Sequence, residues 1–417
     1  MGARLLRILL WTLLALPALV GCAGRSAGRG PVRPGDSVAA RAAGITEVRF
    51  RPVFELPGED AARLVEAVPG GQWDRGLAEV AEVLLSLHVE RSAYIDVATT
   101  SLVTARAGYP GQVHAMRGLT GGAFPEQLAA AIARATAGVP AVDLGLAVRR
   151  FDDGTALWVL TWSRHRALLD PLPRDIALDD PVPVRVDIED PALKGAALRL
   201  MVAPPHGPVE ELRLTEGLTR WLDMFHEPGR WRLEVVARQG EHTEVLLLFS
   251  VFVDAPPPEP RPLATRMPPV ENPIAAEQAL LAQLNALRAD NGLAPVQWFS
   301  TFEPLVREHS AYMAAVGQAR HVIDGLTPGV QVRARSFAFP FAFHHEAVAA
   351  ALTATEAMQL VVDSPAHRRT LLCEPCTHVT IGAALEPVLD RQPRIFVTWE
   401  LLEFPKGPPR RLDAAER

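Results

Sequence analysis

Between Ala255 and Pro273 the chain places eight prolines in nineteen residues. Proline fixes φ at about −65° and carries no N–H, so neither a helix nor an interior strand can run through such a stretch. Its favoured form is extended polyproline II, a semi-rigid spacer. The chain must therefore fold as separate units on either side, and 417 residues fit two or three domains. An apolar content of 48% is enough for each unit to bury an ordinary core.

The first residues read as a leader. Arg4 and Arg7 precede a mostly apolar run from Ile8 to Val20, too short for an ordinary membrane span and typical of a secretory signal over residues 1–21. Leu19-Val20-Gly21-Cys22 resembles the bacterial lipoprotein cleavage box. That resemblance implies processing before Cys22 and lipidation there, with palmitate among the acyl groups and a membrane anchor as the result. The rival reading is a plain signal peptide with an incidental cysteine. Residues 22–44, rich in Gly, Ala, Arg, Ser and Pro, then read as a flexible tether in the cell envelope, facing periplasm or exterior. The formal charge is −6, and loss of the two leader arginines leaves −8, so no basic stripe speaks for nucleic acid. Only Cys373 and Cys376 remain among three cysteines. Outside the cytoplasm a close pair is expected to be oxidised, so a disulfide is favoured over a zinc half-site or a redox dithiol.

Five stretches follow. Residues 45–178 read as an α+β unit: Leu77, Val80, Ala81, Leu84, Leu85 and His88 fall at helical spacing, and Leu128 to Ala135 gives a second short helix. Leu144–Val148 and Ala156–Trp162, joined by Asp152-Asp153-Gly154, read as a hairpin. Residues 179–254 alternate differently, as in Val182, Val184, Val186 and Ile188, and as in Gly229-x-Trp231-x-Leu233-x-Val235. About six short strands at turn-separated intervals predict a small β-sandwich, immunoglobulin-like in general architecture, acting as a spacer or docking module. The linker occupies residues 255–272, a last domain residues 273–404, and a tail residues 405–417.

In that last domain Asn272-Pro273 predicts an N-cap with proline at the first helical position, and Asn291-Gly292 its end. Ser300-x-x-Glu303 reads as a capping box for a second helix closed by Gly317. His309 lies within that helix's apolar stripe and reads as a packing residue, whereas His321 lies beyond the helix end. Phe337, Phe339, Phe341 and Phe343 alternate, which predicts a strand or extended loop with one apolar face, either core or the wall of a lipid groove. A helix is expected from about Ala347 to Val362, then a short one from Ser364, and a closing hairpin of His378–Leu385 with Ile395–Leu402. Ser364-Pro365-Ala366-His367 pins an imidazole in the first turn of the short helix.

The order Asn285-x-x-Arg288, Gly292-Leu293-x-Pro295, Trp298, His309-Ser310-x-x-Met313, His321, Glu346, Ser364-Pro365-x-His367-Arg368, Gly382 and Trp399 resembles the bacterial, SCP-like branch of the CAP superfamily. The members of that superfamily are cysteine-rich secretory proteins, antigen five and pathogenesis-related proteins. The resemblance implies an α-β-α sandwich with a surface cavity lined at His321, Glu346 and His367, with Ser364 beside them. Asp363 is the nearest candidate for the family's second carboxylate. The fold class expected for the whole chain is α+β.

With that family in view, the first unit has an echo of the last. Leu144-Gly145 through Thr161-Trp162 aligns without gaps to Ile381-Gly382 through Thr398-Trp399, Gln72-Trp73 precedes a helix as Gln297-Trp298 does, and Gln127 stands where His367 would. Two readings stay open, a diverged CAP-like repeat or a chance match of composition.

His321 and His367 can ligate zinc or another divalent metal through neutral imidazole nitrogens, with Glu346 as ligand or orienter. No His-Glu-x-x-His helix and no Gly-x-Ser-x-Gly elbow is present. Three functions remain: a non-catalytic binding protein for a lipid or cell-envelope ligand, a metal-dependent hydrolase or protease of the envelope, and a structural protein with a decayed site. The first is favoured.

Overall fold

The computed structural model describes residues 47–48, 58–91, 96–121, 141–239, 242–260, 272–323, 343–388 and 393–404. The leader with Cys22, the tether, the expected helix at Leu128–Ala135, Gln127, the alternating Phe337, Phe339 and Phe341, and the tail lie outside the described residues.

The first unit runs α1 (Glu59–Ala67), β1 (Gly71–Trp73), α2 (Arg75–Arg91), α3 (Val97–Ala107), β2 (His114–Gly121), β3 (Val142–Arg150) and β4 (Thr155–Arg164). Asp74 accepts the Leu77 N–H at 2.8 Å and so caps α2, which then buries Leu77, Val80, Ala81 and Leu84 completely. His88, expected in that core, sits at its edge, 2.9 Å from an Arg117 guanidinium nitrogen. The hairpin forms as expected, with Gly154 at φ 81°, a conformation that side chains disfavour. Strand order is β1-β3-β4-β2; β1 is parallel to β3 and the other pairs are antiparallel.

The sandwich comprises β5 (Ala167–Leu169), β6 (Asp175–Ile176), β7 (Val182–Val184), β8 (Val186–Ile188), β9 (Ala197–Ala203), β10 (Glu210–Arg213), β11 (Arg220–Leu222), β12 (Gly229–Gln239) and β13 (His242–Val253). One sheet has the order β10-β9-β12-β13-β6, and the ribbons β8-β5 and β11-β7 face it. The alternation Val182, Val184, Val186, Ile188 delivers all four side chains to the shared core. Because Ala167–Leu169 pairs with Val186–Ile188, the sandwich reaches back to Ala167.

The last domain holds α4 (Pro273–Asp290), β14 (Gln297–Trp298), α5 (Glu303–Val316), β15 (Phe343–Ala351), α6 (Ala354–Asp363), α7 (Pro365–Leu371), β16 (His378–Leu385) and β17 (Ile395–Glu403). Asn272 caps α4 by accepting the Ile274 N–H at 2.9 Å, and Gly292 ends the turn after it at φ 71°. The Asn and Arg of Asn285-x-x-Arg288 have clear work. Asn285 bonds both backbone groups of Val296, while Arg288, 1% exposed, donates to the carbonyls of Ala294, Leu371, Cys373 and Cys376. That guanidinium holds the loop in which Cys373 and Cys376 form a disulfide, Cα atoms 5.4 Å apart.

Two local expectations fail. The Ser300-x-x-Glu303 capping box does not form: a 3₁₀ turn at Ser300–Phe302 leads into α5, and Glu303 instead accepts from the Trp298 indole at 2.6 Å and from Arg307. Ala347 does not open a helix either. Phe343–Ala351 is strand β15, paired antiparallel with β17 along nine positions, and α6 starts only at Ala354 behind the Thr353 cap. Alanine favours a helix in isolation, but here the ladder to β17 overrides that weak preference. The sheet order is β14-β16-β17-β15.

Residues Ile45–Arg417 make one compact unit, so the proline-rich stretch does not hold the domains apart. Its first residues are tied down by Arg106, which donates to the carbonyls of Pro257 and Pro258 and pairs with Glu259. Among the described residues no helix is long and apolar enough to cross a membrane.

Candidate functional site

Gly317, at φ 70°, closes α5 and releases the chain toward His321. His309 remains inside the helix face, fully buried, its Nε2 2.9 Å from the Arg320 carbonyl, which anchors the loop that carries His321. From that loop the His321 Nδ1–H donates to Glu346 Oε1 at 2.5 Å. Glu346 stands on β15, and α7 brings the His367 ring to 5.6 Å from that of His321, centroid to centroid, with 33° between planes. The three residues singled out in the sequence are thus neighbours in space.

Asp363 is not the second carboxylate. It pairs with Arg232 of the sandwich at 2.6 Å. The acid beside Glu346 is Glu400, its direct cross-strand partner on β17, fully buried and hydrogen-bonded to it. Sequence reasoning passed over Glu400, yet a signal existed: it is the one ionisable residue in the run Ile395–Leu402, where an unpaired charge would be costly.

Burial and the neighbouring Glu346 carboxylate push the Glu400 pKa well above the usual range, so Glu400 is protonated and can donate to Glu346. Burial would raise Glu346 too, but the His321 hydrogen bond and charge, with the Glu400 bond, bring it below the ordinary carboxylate value. For His321, burial pulls downward, and the Glu346 bond and charge, aided by Glu244 of β13, more than compensate; its side chain keeps 37% exposure, so the burial penalty is partial. His367 goes the other way, down to about 3, through burial and then the His321 cation. The arrangement favours a protonated Glu400, an ionised Glu346, an oriented His321 biased toward its charged form and a neutral, half-buried His367.

The serines are occupied. Ser310 is fully buried, donates to the Gly382 carbonyl at 2.9 Å and lies 2.9 Å from the Thr398 hydroxyl. Ser364 caps α7, accepting the His367 N–H at 3.4 Å, and its hydroxyl donates to the Glu234 carboxylate at 2.8 and 3.0 Å. As for a metal, the Glu346 bond to Nδ1 leaves Nε2 of His321 as a ligand nitrogen once that atom gives up its proton, and His367 offers a neutral ring. Glu346 gives its Oε1 to His321. Among the described residues no three His, Cys, Asp or Glu side chains gather as a metal group, so the donor set fits zinc only in part.

Residues 281–398 match the sequence profile of the cysteine-rich secretory protein family, CAP. The C-terminal domain is therefore a CAP domain. No curated protein matches the chain. Among solved structures, an outer surface protein from Borrelia burgdorferi is similar at 19% identity, covering 32% of this chain and 95% of its own, with a TM-score of 0.27. An extracellular protein containing an SCP domain from Bacillus anthracis is 14% identical over 54% of this chain and 78% of its own, with a TM-score of 0.28. The soluble domain of PmoD from Methylocystis is 18% identical over 26% and 90%, with a TM-score of 0.17.

Proposed function

We propose that the protein is a lipid-anchored binding protein of the bacterial cell envelope, whose CAP domain takes a lipid or other envelope ligand at His321 and His367 without turning it over. The observation that carries this reading is that the carboxylate and both serines beside the two imidazoles already have partners. Glu346 is held by His321 and Glu400, Ser310 by Gly382 and Thr398, and Ser364 by Glu234. A cationic imidazole beside a neutral one offers a hydrogen-bond donor of fixed direction and a second polar contact, which suits recognition of an anionic or carbonyl-bearing headgroup. The leader and Leu19-Val20-Gly21-Cys22 support the envelope location and the lipid at Cys22. A divalent metal such as zinc would be held by a nitrogen of His367 and by Nε2 of His321 in place of its proton, and would add a Lewis-acidic contact for the same headgroup.

The test is equilibrium binding of a fluorescent anionic phospholipid to the intact chain, with and without zinc, beside His321→Ala and His367→Ala. Saturable binding weakened about tenfold in both variants, roughly 1.4 kcal/mol, is the expected result. Absence of saturable binding of either lipid or zinc by the folded chain would sink the proposal. Cleavage of the probe would move the protein to the envelope hydrolases.

A further inference from the structure

The strand β12 carries a period-two pattern that the sandwich core does not use. Trp231, Leu233 and Val235 enter that core, so Arg230, Arg232 and Glu234 emerge on the opposite face. Each of the three reaches another domain. Arg230 donates to Ser101 of α3 at 3.2 Å. Arg232 donates to the Val362 carbonyl at 3.0 Å and pairs with Asp363, closing the C-terminal end of α6. Glu234, 1% exposed, accepts the Ser364 hydroxyl at 2.8 Å and the Ala366 N–H at 2.6 Å, closing the N-terminal end of α7. A cation at one helix C-terminus and an anion at the next N-terminus are the signs that both helix dipoles favour. From the CAP side, Arg368 donates to the Pro204 carbonyl at 2.8 Å and Arg369 pairs with Glu211.

We propose that Glu234 is a positioning residue for the CAP site: through this one carboxylate the sandwich fixes the start of α7, and with it the place of His367 opposite His321. The proposal rests on the reading of those imidazoles as the binding site. The physical reason lies in the length of α7, seven residues, too short for its own hydrogen bonds to hold it. Its first-turn N–H groups have no acceptor within the helix. Ser364 supplies one at 3.4 Å, a long bond, and the short bond to Ala366, the residue before His367, comes from the sandwich. A carboxylate buried this deeply persists only where donors converge on it. Burial pushes Glu234 up to about 7, against the pull of the Ala366 and Ser364 bonds. The sandwich thus forms part of the site, where the sequence suggested a spacer or docking module.

The experiment uses the intact chain with carbon-13 labelled histidine and reads the nuclear Overhauser cross-peak between the His321 and His367 rings. Glu234→Ala is expected to abolish it, while Arg232→Ala, which cuts the α6 clasp on the same strand face, retains it. A folded Glu234→Ala chain that keeps the cross-peak overturns the proposal. Equal loss in both variants also overturns it, because docking in general and not Glu234 would then set the helix. Should Glu234→Ala fail to fold, Glu234→Asp decides: it keeps the charge but withdraws the acceptor by one methylene, and a retained cross-peak counts against the proposal. No ligand enters this readout, so failure of the binding reading and failure of this one are separable.

Discussion

In the N-terminal unit the sheet runs β1-β3-β4-β2, and in the CAP domain β14-β16-β17-β15, with the same alternation of one parallel and two antiparallel pairs. Each sheet lets a helix lie close by placing a glycine across from a threonine, Gly145 with Thr161 under α2 and Gly382 with Thr398 under α5. A Cβ at Gly145 would stand 2.2 Å from the Leu77 carbonyl carbon, and one at Gly382 2.4 Å from that of Val306. Trp162 and Trp399 follow the threonine in both. The difference lies at the site. One step past the His114–Trp162 pair, Val113 and Ser163 stand where the CAP domain has Glu346 and Glu400. The frame is therefore set by backbone approach and strand ladders, and the carboxylates are additions that it does not need.

The most severe way to break the comparison is at the helix crossings. Gly145→Ala and Gly382→Ala should each destabilise by about 3 kcal/mol, since backbone on both sides cannot give way. Denaturant unfolding measures this, and a loss below about 1 kcal/mol in either would mean that the crossing is not shared.

pH acts next, on both sides: in the N-terminal unit burial lowers His114 to about 4 and raises Asp74 to about 6, and the CAP side and its clamp have two such groups of their own. His367 has its pKa lowered from 6.5 to about 3, so stability is full above 6.5 and is lost as pH falls toward 3. Glu234 is raised from 4.5 to about 7, so its contribution is full below 4.5 and is lost as pH rises through 7. His367→Gln should flatten the rise of stability between about 3 and 6.5 in thermal melts and Glu234→Gln the fall between 4.5 and about 7, the two opposing each other where the windows overlap. Unchanged slopes would show that neither group carries the dependence.

A gentler change gives the CAP domain the residues of its counterpart. Glu346→Val with Glu400→Ser should fold with stability altered by no more than about 2 kcal/mol, because both buried acids leave together. The His321 pKa, no longer lifted by Glu346, should fall in an NMR titration. An unmoved His321 would mean that Glu346 does not set its charge. The smallest contrast concerns helix starts: Asp74→Ala should cost about 1 kcal/mol through the lost cap of α2. Ser300→Ala should stay within about 0.5 kcal/mol, since Ser300 caps nothing in α5. Equal losses would restore the capping box to the CAP domain.

Much of the frame was legible in the residues. Helical spacing from Leu77, the Asp153-Gly154 turn, the Asn272-Pro273 start and the valine alternation from Val182 each gave the element that forms, because each expresses a local rule of backbone or periodicity. The site was legible in part. His321, Glu346 and His367 were found through their order along the chain, but Glu400 was passed over and Asp363 stood only as the nearest candidate. Cross-strand partners 54 residues apart in sequence, as numbered, carry no local mark. The end of strand β15, Ala347–Ala351, was misread for a related reason: its alanines speak for helix until β17 lies beside them.

The sequence by itself determined most of the elements, their order, the glycines on which the helices rest and the histidines at two helix ends, all of them consequences of sterics and hydrogen bonding over a few residues. Only the tertiary structure decided which acid joins Glu346, that Ser364 answers to Glu234, and that the sandwich abuts the CAP helices. Those depend on burial, which turns a solvated carboxylate into one that must find a donor, and burial is a property of the assembled chain.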